Sequence, residues 1–176
     1  ICQRCVMDTS ASEITFDEKG ICNYCHEYDR TNAQLWKRGE EGKDLLNKTL
    51  EKIKSDSRWN EYDCIVGLSG GVDSSYVAYL AKKVFRLRPL VVHVDTGWNS
   101  ELAVKNIENI VKKLDIGLYT YVIDWEEMQD LQLAFFKSGI ICQDNPQDHV
   151  FHSVLRKISL EKKITYFITG ANASTE

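Results

Sequence analysis

The sequence predicts an α/β fold, a doubly wound and mostly parallel sheet of Rossmann-like type preceded by a zinc knuckle. Three observations carry that expectation. Short apolar runs alternate with amphipathic helical stretches from residue 62 onward, a glycine–serine loop follows the first of those runs directly, and two Cys-x2-Cys pairs lie within the first 25 residues. Alternation of strand and helix argues for parallel strands covered on both faces, and such sheets bind ligands in the crevice at the carboxyl ends of their strands.

In chain order, residues 1–30 read as a four-cysteine knuckle, 31–60 as a helical linker and 61–176 as the α/β domain. Within the linker, 40–56 has helical period, with Leu45, Leu46, Leu50 and Ile53 on one face. The domain then reads as strand 62–68, helix 74–85 (Val77, Leu80, Ala81 and Val84 on one face), strand 90–94 and helix 100–114. Strand 118–123, helix 125–137, helix 149–162 and strand 165–169 complete the pattern. Asn99 or Ser100 is expected to cap the helix that follows. No internal repeat or low-complexity stretch interrupts it.

With 176 residues the chain suits one ordinary domain and a small appendage. It is 43% hydrophobic and 27% charged, which argues against disorder. The 26 acidic and 22 basic residues leave a net charge of −4, which argues against a broad nucleic-acid-coating surface. No apolar run approaches the roughly 18 residues of a membrane span and no signal-peptide pattern opens the chain, so a cytoplasmic protein without membrane attachment is expected. The chain begins at Ile1 and stops abruptly at Glu176, and it is read as part of a longer protein whose C-terminal part is absent.

Cys2, Cys5, Cys22 and Cys25 are spaced as Cys-x2-Cys-x16-Cys-x2-Cys, within the range of a four-thiolate Zn²⁺ site. Two residues between paired cysteines let a tight turn aim both sulfurs at one ion, and Gly20 supplies backbone freedom beside the second pair. Two disulfides, an iron–sulfur cluster or unrelated buried thiols fit the same spacing; the absence of a targeting segment favours metal over disulfide. Four thiolates leave no open position, so the metal's role is structural. Cys64 lies in an apolar run and reads as core, Cys142 as a lone thiol near a loop, and His26 as a solvated residue of the knuckle.

Ser69-Gly70-Gly71-Val72-Asp73-Ser74-Ser75 runs from a buried strand straight into a helix. Adjacent glycines allow close backbone approach, a helix N-terminus points unpaired N–H groups outward, and three serines add hydroxyl donors, which together make a phosphate cradle. A carboxylate at Asp73 would repel phosphate unless Mg²⁺ lay between them. The plainer alternative is that Asp73 and Ser74 cap the helix. No lysine follows the glycines, which excludes the P-loop of G-x-x-x-x-G-K-[ST] type. Residues 67–71 also match the G-x-S-x-G nucleophile elbow, but that elbow needs an earlier strand and loop for its oxyanion hole, and none precedes it here.

The Ser-Gly-Gly-Val-Asp-Ser loop resembles that of the ATP-pyrophosphatase (PP-loop) superfamily, whose members split ATP to AMP and pyrophosphate while activating an oxygen. The wider ensemble is similar to the N-acetyl sugar amidotransferase family. It comprises the knuckle with Asp8-Thr9 and Phe16-Asp17, then His93-Val94-Asp95-Thr96-Gly97-Trp98-Asn99-Ser100, Pro146-Gln147-Asp148-His149 and Gly170-Ala171-Asn172. The resemblance implies conversion of an acetamido group on an activated N-acetyl sugar to an acetamidino group, for bacterial surface polysaccharide or nonulosonic acid synthesis. It implies ATP held by 69–75, Mg²⁺ on Asp73, His93, Val94 and Asp95 beside the adenosine, and Gly170 and Asn172 closing over the nucleotide. It also implies ammonia from a separate glutaminase subunit. For Asp148 and His149 two readings stand: Asp148 caps its helix, or the pair works in the site, His149 as proton shuttle or substrate hydrogen-bonder and Asp148 as its orienter or a Mg²⁺ contact. Trp98 is read as a shield for nucleotide or sugar. The rival readings are a transfer-RNA-thiolating enzyme on the same scaffold and a non-catalytic zinc and nucleotide-binding module.

Overall fold

Four short strands pair in parallel: β1 (Cys64–Gly67), β2 (Pro89–Asp95), β3 (Gly117–Val122) and β4 (Tyr166–Ile168), in the spatial order β3-β2-β1-β4. β1 and β2 are inner strands with near-continuous β-branched and leucine runs, and burial on both faces demands that composition. The computed structural model describes residues 1–35 and 37–171, so the Asn172 expectation lies outside the described residues. The chain after β3 crosses back to pair β4 with the other side of β1. The strand order therefore reverses at β1, the position at which sheets of this kind hold their ligand crevice, outside the strands' carboxyl ends.

The helices are α1 (Asn23–Arg30), α2 (Asn32–Leu35), α3 (Gly39–Asp56), α4 (Val72–Tyr79), α5 (Glu101–Leu114), α6 (Trp125–Ser138) and α7 (Asn145–Lys162). Alternate strand residues feed two cores. Val66 and Val91 join Ile53, Ala78, Ala81, Ile107 and Leu114 on one face, while Ile65, Leu90, Val92 and Val94 join Val154 and Ile158 on the other. Ser100 caps α5 by accepting from Ala103 N at 3.2 Å, and Asp124 caps α6 by accepting from Glu127 N at 3.1 Å. The expected helix 74–85 is two pieces: α4, then a π-helical turn, Leu80–Val84, closed by Phe85 N–H donating to Leu80 O at 2.8 Å. The wider turn takes up an extra residue and delivers Phe85 and Leu87 to the core.

Expected strand 62–68 begins only at Cys64, because Asp63 is engaged elsewhere. Its buried carboxylate accepts from Arg88 N at 2.7 Å and from Arg88 Nη2 at 2.6 Å, and that guanidinium also donates to Asn60 O and Ser57 O. This knot ties the entries of β1 and β2 at the amino end of the sheet, away from the crevice.

By internal contact the chain forms two units, Ile1–Thr49 and Leu50–Gly170. The division falls inside α3 rather than at 61, because Leu50 and Ile53 belong to the core beneath β1. In the first unit, residues 16 and 22 form an antiparallel bridge around a turn in which Asp17 Oδ1 accepts from Lys19 N and Ile21 N, each at 2.9 Å. α1, a helix within the stretch read simply as a knuckle, starts directly after Cys22. No helix among the described residues is long and apolar enough to cross a membrane.

Candidate functional site

The loop 69–75 joins β1 to α4 at the point where strand order reverses. Gly71 is the N-cap of α4 and no side chain caps this helix, so Asp73 and Ser74 do not serve as its caps. The first amides of α4 consequently lack an intrahelical acceptor and remain available to an anion. The serines are preorganised around one another: Ser69 Oγ lies 3.1 Å from Ser74 Oγ, and Ser75 Oγ donates to Gly71 O at 2.5 Å. Asp73 sits exposed in the first turn of α4.

Gly70 carries a φ of +80°, and a Cβ there would lie 2.9 Å from Ala103 Cα and closer still to its carbonyl oxygen. α5 is thus pressed against the loop, and glycine is required on both counts. Gly70→Ala is expected to destabilise the protein by about 2–4 kcal/mol, from the left-handed backbone and the collision together. Urea unfolding that shows a loss under about 0.5 kcal/mol would contradict that packing.

Side chains from β2 and α5 hold this loop. His93, 7% exposed, places Nδ1 2.9 Å from the Leu68 carbonyl and Nε2 3.2 Å from Asn99 Nδ2. Asn99 Nδ2 also donates to Asp95 Oδ1 at 2.8 Å, and the same oxygen accepts from Gly97 N at 2.9 Å. From α5, Asn106 Nδ2 donates to Gly70 O at 3.1 Å. Asn106 is invisible to sequence reasoning, since an asparagine within an amphipathic helix carries no local signal. Asn99 reads from the sequence only as a helix cap.

The loop after β4 returns to the start of α4. A Cβ on Gly170 would lie 3.2 Å from the Asp73 carbonyl carbon, so the exit of β4 lies directly against the first turn of α4. Beyond β2, Gly97 (φ +83°) seats Trp125, which meets Trp98 edge-on with ring centroids 5.3 Å apart. Asp148 and His149 lie exposed in the first turns of α7. α7 has Asp144 as N-cap without a side-chain cap, so Asp148 does not cap it. The residue that ties this helix to the end of β2 is the neighbour Gln147, whose Oε1 accepts from Thr96 Oγ1 at 3.2 Å. His149 instead lines a cavity of about 630 Å³ between β3, α6 and α7, with Tyr121, Met128, Leu131 and Val154.

In the first unit, the four cysteine sulfurs all lie within 4.8 Å of one another, Cys2–Cys25 at 3.9 Å and Cys5–Cys22 at 3.6 Å, with no disulfide. A tetrahedron with Zn–S bonds of about 2.3 Å has edges of about 3.8 Å, so the donor set fits a tetrahedral divalent ion. Burial pushes the Cys2 thiol up, but the N–H groups of Arg4, Cys5 and Cys22 outweigh it and draw it down to about 6. Burial and the neighbouring sulfurs push Cys25 up to about 12. Only a cation lets all four be thiolates at once. His26 is no fifth donor: its Nε2 pairs with Asp17 Oδ2 at 3.0 Å. Cys64 is buried, which raises its thiol to about 12, and Cys142 is exposed.

The profile of the NAD synthase family matches residues 42–168. The chain is 27% identical over 173 residues to an uncharacterised protein of Methanocaldococcus jannaschii, covering 96% of this chain and 58% of that one. It is 30% identical over 139 residues to one of the subunits of the glutamine-hydrolysing GMP synthase of Methanococcus vannielii, covering 76% and 42%. Among solved structures it resembles the NH3-dependent NAD synthetase of Campylobacter jejuni, with a TM-score of 0.52 and 20% identity, covering 74% of this chain and 56% of that one. It also resembles the U34-tRNA thiolase of Methanococcus maripaludis, solved with its [4Fe-4S] cluster, with a TM-score of 0.50 and 16% identity, covering 97% and 54%. The chain thus spans about half the length of the relatives it matches.

Proposed function

Because this chain belongs to the NAD synthase family, within the PP-loop ATP pyrophosphatase superfamily, we propose that it is the ATP-using part of a C–N bond-forming enzyme whose acceptor is an activated N-acetyl sugar. The observation that carries the ATP step is the uncapped N-terminus of α4 at the strand-order reversal, with Gly170 against Asp73. The family shown is broader than the N-acetyl sugar amidotransferases; the sugar assignment rests on the run of motifs from Cys2 to Asn172.

An amide carbonyl is a poor electrophile. Its oxygen attacks the α-phosphorus of ATP, the bond to the β-phosphate oxygen breaks, pyrophosphate leaves, and loss of the amide proton gives an O-adenylyl imidate. Ammonia then attacks the imidate carbon and AMP departs with the C–O electron pair. One proton passes to solvent and an acetamidino group remains. The loop amides stabilise the departing pyrophosphate, and the sheet end aligns carbonyl and α-phosphate. Bound at Asp73, Mg²⁺ would screen charge on pyrophosphate. A tetrahedral Zn²⁺ on Cys2, Cys5, Cys22 and Cys25 would hold the knuckle. Asp148 and His149 are assigned to acceptor handling, and ammonia to a separate glutaminase in the cytoplasm.

The thiolase likeness, which extends over the knuckle, favours RNA thiolation as the second reading. Against it, the cysteines outside the knuckle are one buried and one exposed thiol far apart in sequence, with no pair to carry sulfur among the described residues. The deciding experiment is mass spectrometry of full-length protein incubated with nucleotide sugars, ATP and ammonium. The expected products are AMP, pyrophosphate and an amidino sugar. ADP with orthophosphate would overturn the ATP step, and RNA retention with a steep salt dependence would favour the second reading.

A further inference from the structure

A cradle of peptide N–H groups binds an anion only if neighbouring carbonyl oxygens point elsewhere, since an oxygen aimed into the same space repels phosphate. Three carbonyls along 68–71 are engaged by donors of the protein itself. Gly71 O accepts from Ser75 N at 3.2 Å as the first helical bond, Leu68 O lies 2.9 Å from His93 Nδ1, and Gly70 O accepts from Asn106 Nδ2 at 3.1 Å. The last two donors come from β2 and α5, outside the loop.

We propose that His93 and Asn106 are positioning residues for the pyrophosphate site: they turn the Leu68 and Gly70 carbonyls away from the anion and so fix the loop amides toward it. The inference rests on the ATP reading above. The direction of each bond follows from chemistry. Leu68 O only accepts, so His93 carries its proton on Nδ1, and its Nε2 accepts from Asn99 Nδ2. The second Asn99 N–H goes to Asp95 Oδ1, so one relay joins the entry of the phosphate loop to the loop after β2. His93 is buried, so no solvent donor replaces it readily. At Gly70 the left-handed backbone and the pressure of α5 leave its carbonyl facing Asn106.

The test titrates magnesium pyrophosphate into full-length protein by calorimetry, with melting temperature recorded for every variant. Asn106→Ala, a substitution that suits a helix, is expected to bind about tenfold more weakly with nearly unchanged melting. Asn106→Asp, which sets a carboxylate against the carbonyl, is expected to lose more. At position 93 two amides separate the two bonds, because Asn places its nitrogen near Nδ1 and Gln places its oxygen near Nε2. His93→Gln, which loses the Leu68 bond, is expected to fall about tenfold, and His93→Asn, which keeps it, to recover to within about threefold of wild type. Wild-type affinity in both Asn106→Ala and His93→Gln overturns the proposal, as does His93→Asn binding as weakly as His93→Gln. Wild-type protein that binds no pyrophosphate removes the ATP reading and this proposal together, whereas wild-type binding with indifferent variants removes the proposal alone.

Discussion

Asp73→Asn is expected to lower turnover about a thousandfold while leaving ATP affinity within about threefold. Asp73 lies in the first turn of α4, beside the amides proposed to face the phosphates. An uncompensated carboxylate there opposes ATP in the ground state, so removing its charge does not weaken binding by Coulomb repulsion. A Mg²⁺ held by Asp73 would reverse the sign as pyrophosphate departs, supplying positive charge where negative charge builds on the leaving group. A group that matters chiefly in the transition state lowers kcat and kcat/KM together. The substitution is nearly isosteric and solvent-exposed, so stability should change little. Single-turnover release of AMP and direct ATP binding separate the two quantities. Equal losses in affinity and turnover would mean that Asp73 holds ATP rather than assisting its cleavage.

Cys22→Ser is expected to remove at least half the bound metal and to dissolve the ordered knuckle. Cys22 is fully buried, precedes α1 as its N-cap and sets its sulfur 3.6 Å from that of Cys5. Its backbone N–H also donates to Cys2 Sγ at 3.3 Å, so one residue serves both cysteine pairs. The four cysteines of this cluster, with Ile14 and Ile21 packed against them, cannot replace a structural zinc worth roughly 10–16 kcal/mol. Elemental analysis should show the loss of metal. Hydrogen exchange should show loss of protection over 1–30 with β1 and β2 still protected. Wild-type protein with less than half an equivalent of metal, or a variant with full metal and unchanged protection, would refute the assignment.

The strands and most helices are legible in the sequence because burial leaves its mark on composition. Runs such as Leu90–Val94 are buried on both faces and mostly aliphatic, and α5 repeats its apolar positions at helical spacing with Ser100 before it. Errors fall at boundaries where a tertiary partner competes. Asp63 leaves the strand for Arg88, and the helix after the loop 69–71 widens into a π turn to bring Leu87 into the core. Local periodicity does not encode either event.

By itself the sequence determined the four-sulfur cluster and the strand–loop–helix of 64–79. Each depends on neighbours close along the chain or on a residue type with few conformational rivals. Tertiary structure alone decided that β4 pairs with the far side of β1, which brings Gly170 against Asp73. It alone brought Asn106 to Gly70 across 36 residues and His93 to Leu68 across 25. A hydrogen bond between such distant residues depends on how β2 and α5 pack against β1, and pattern along the chain carries no record of that packing.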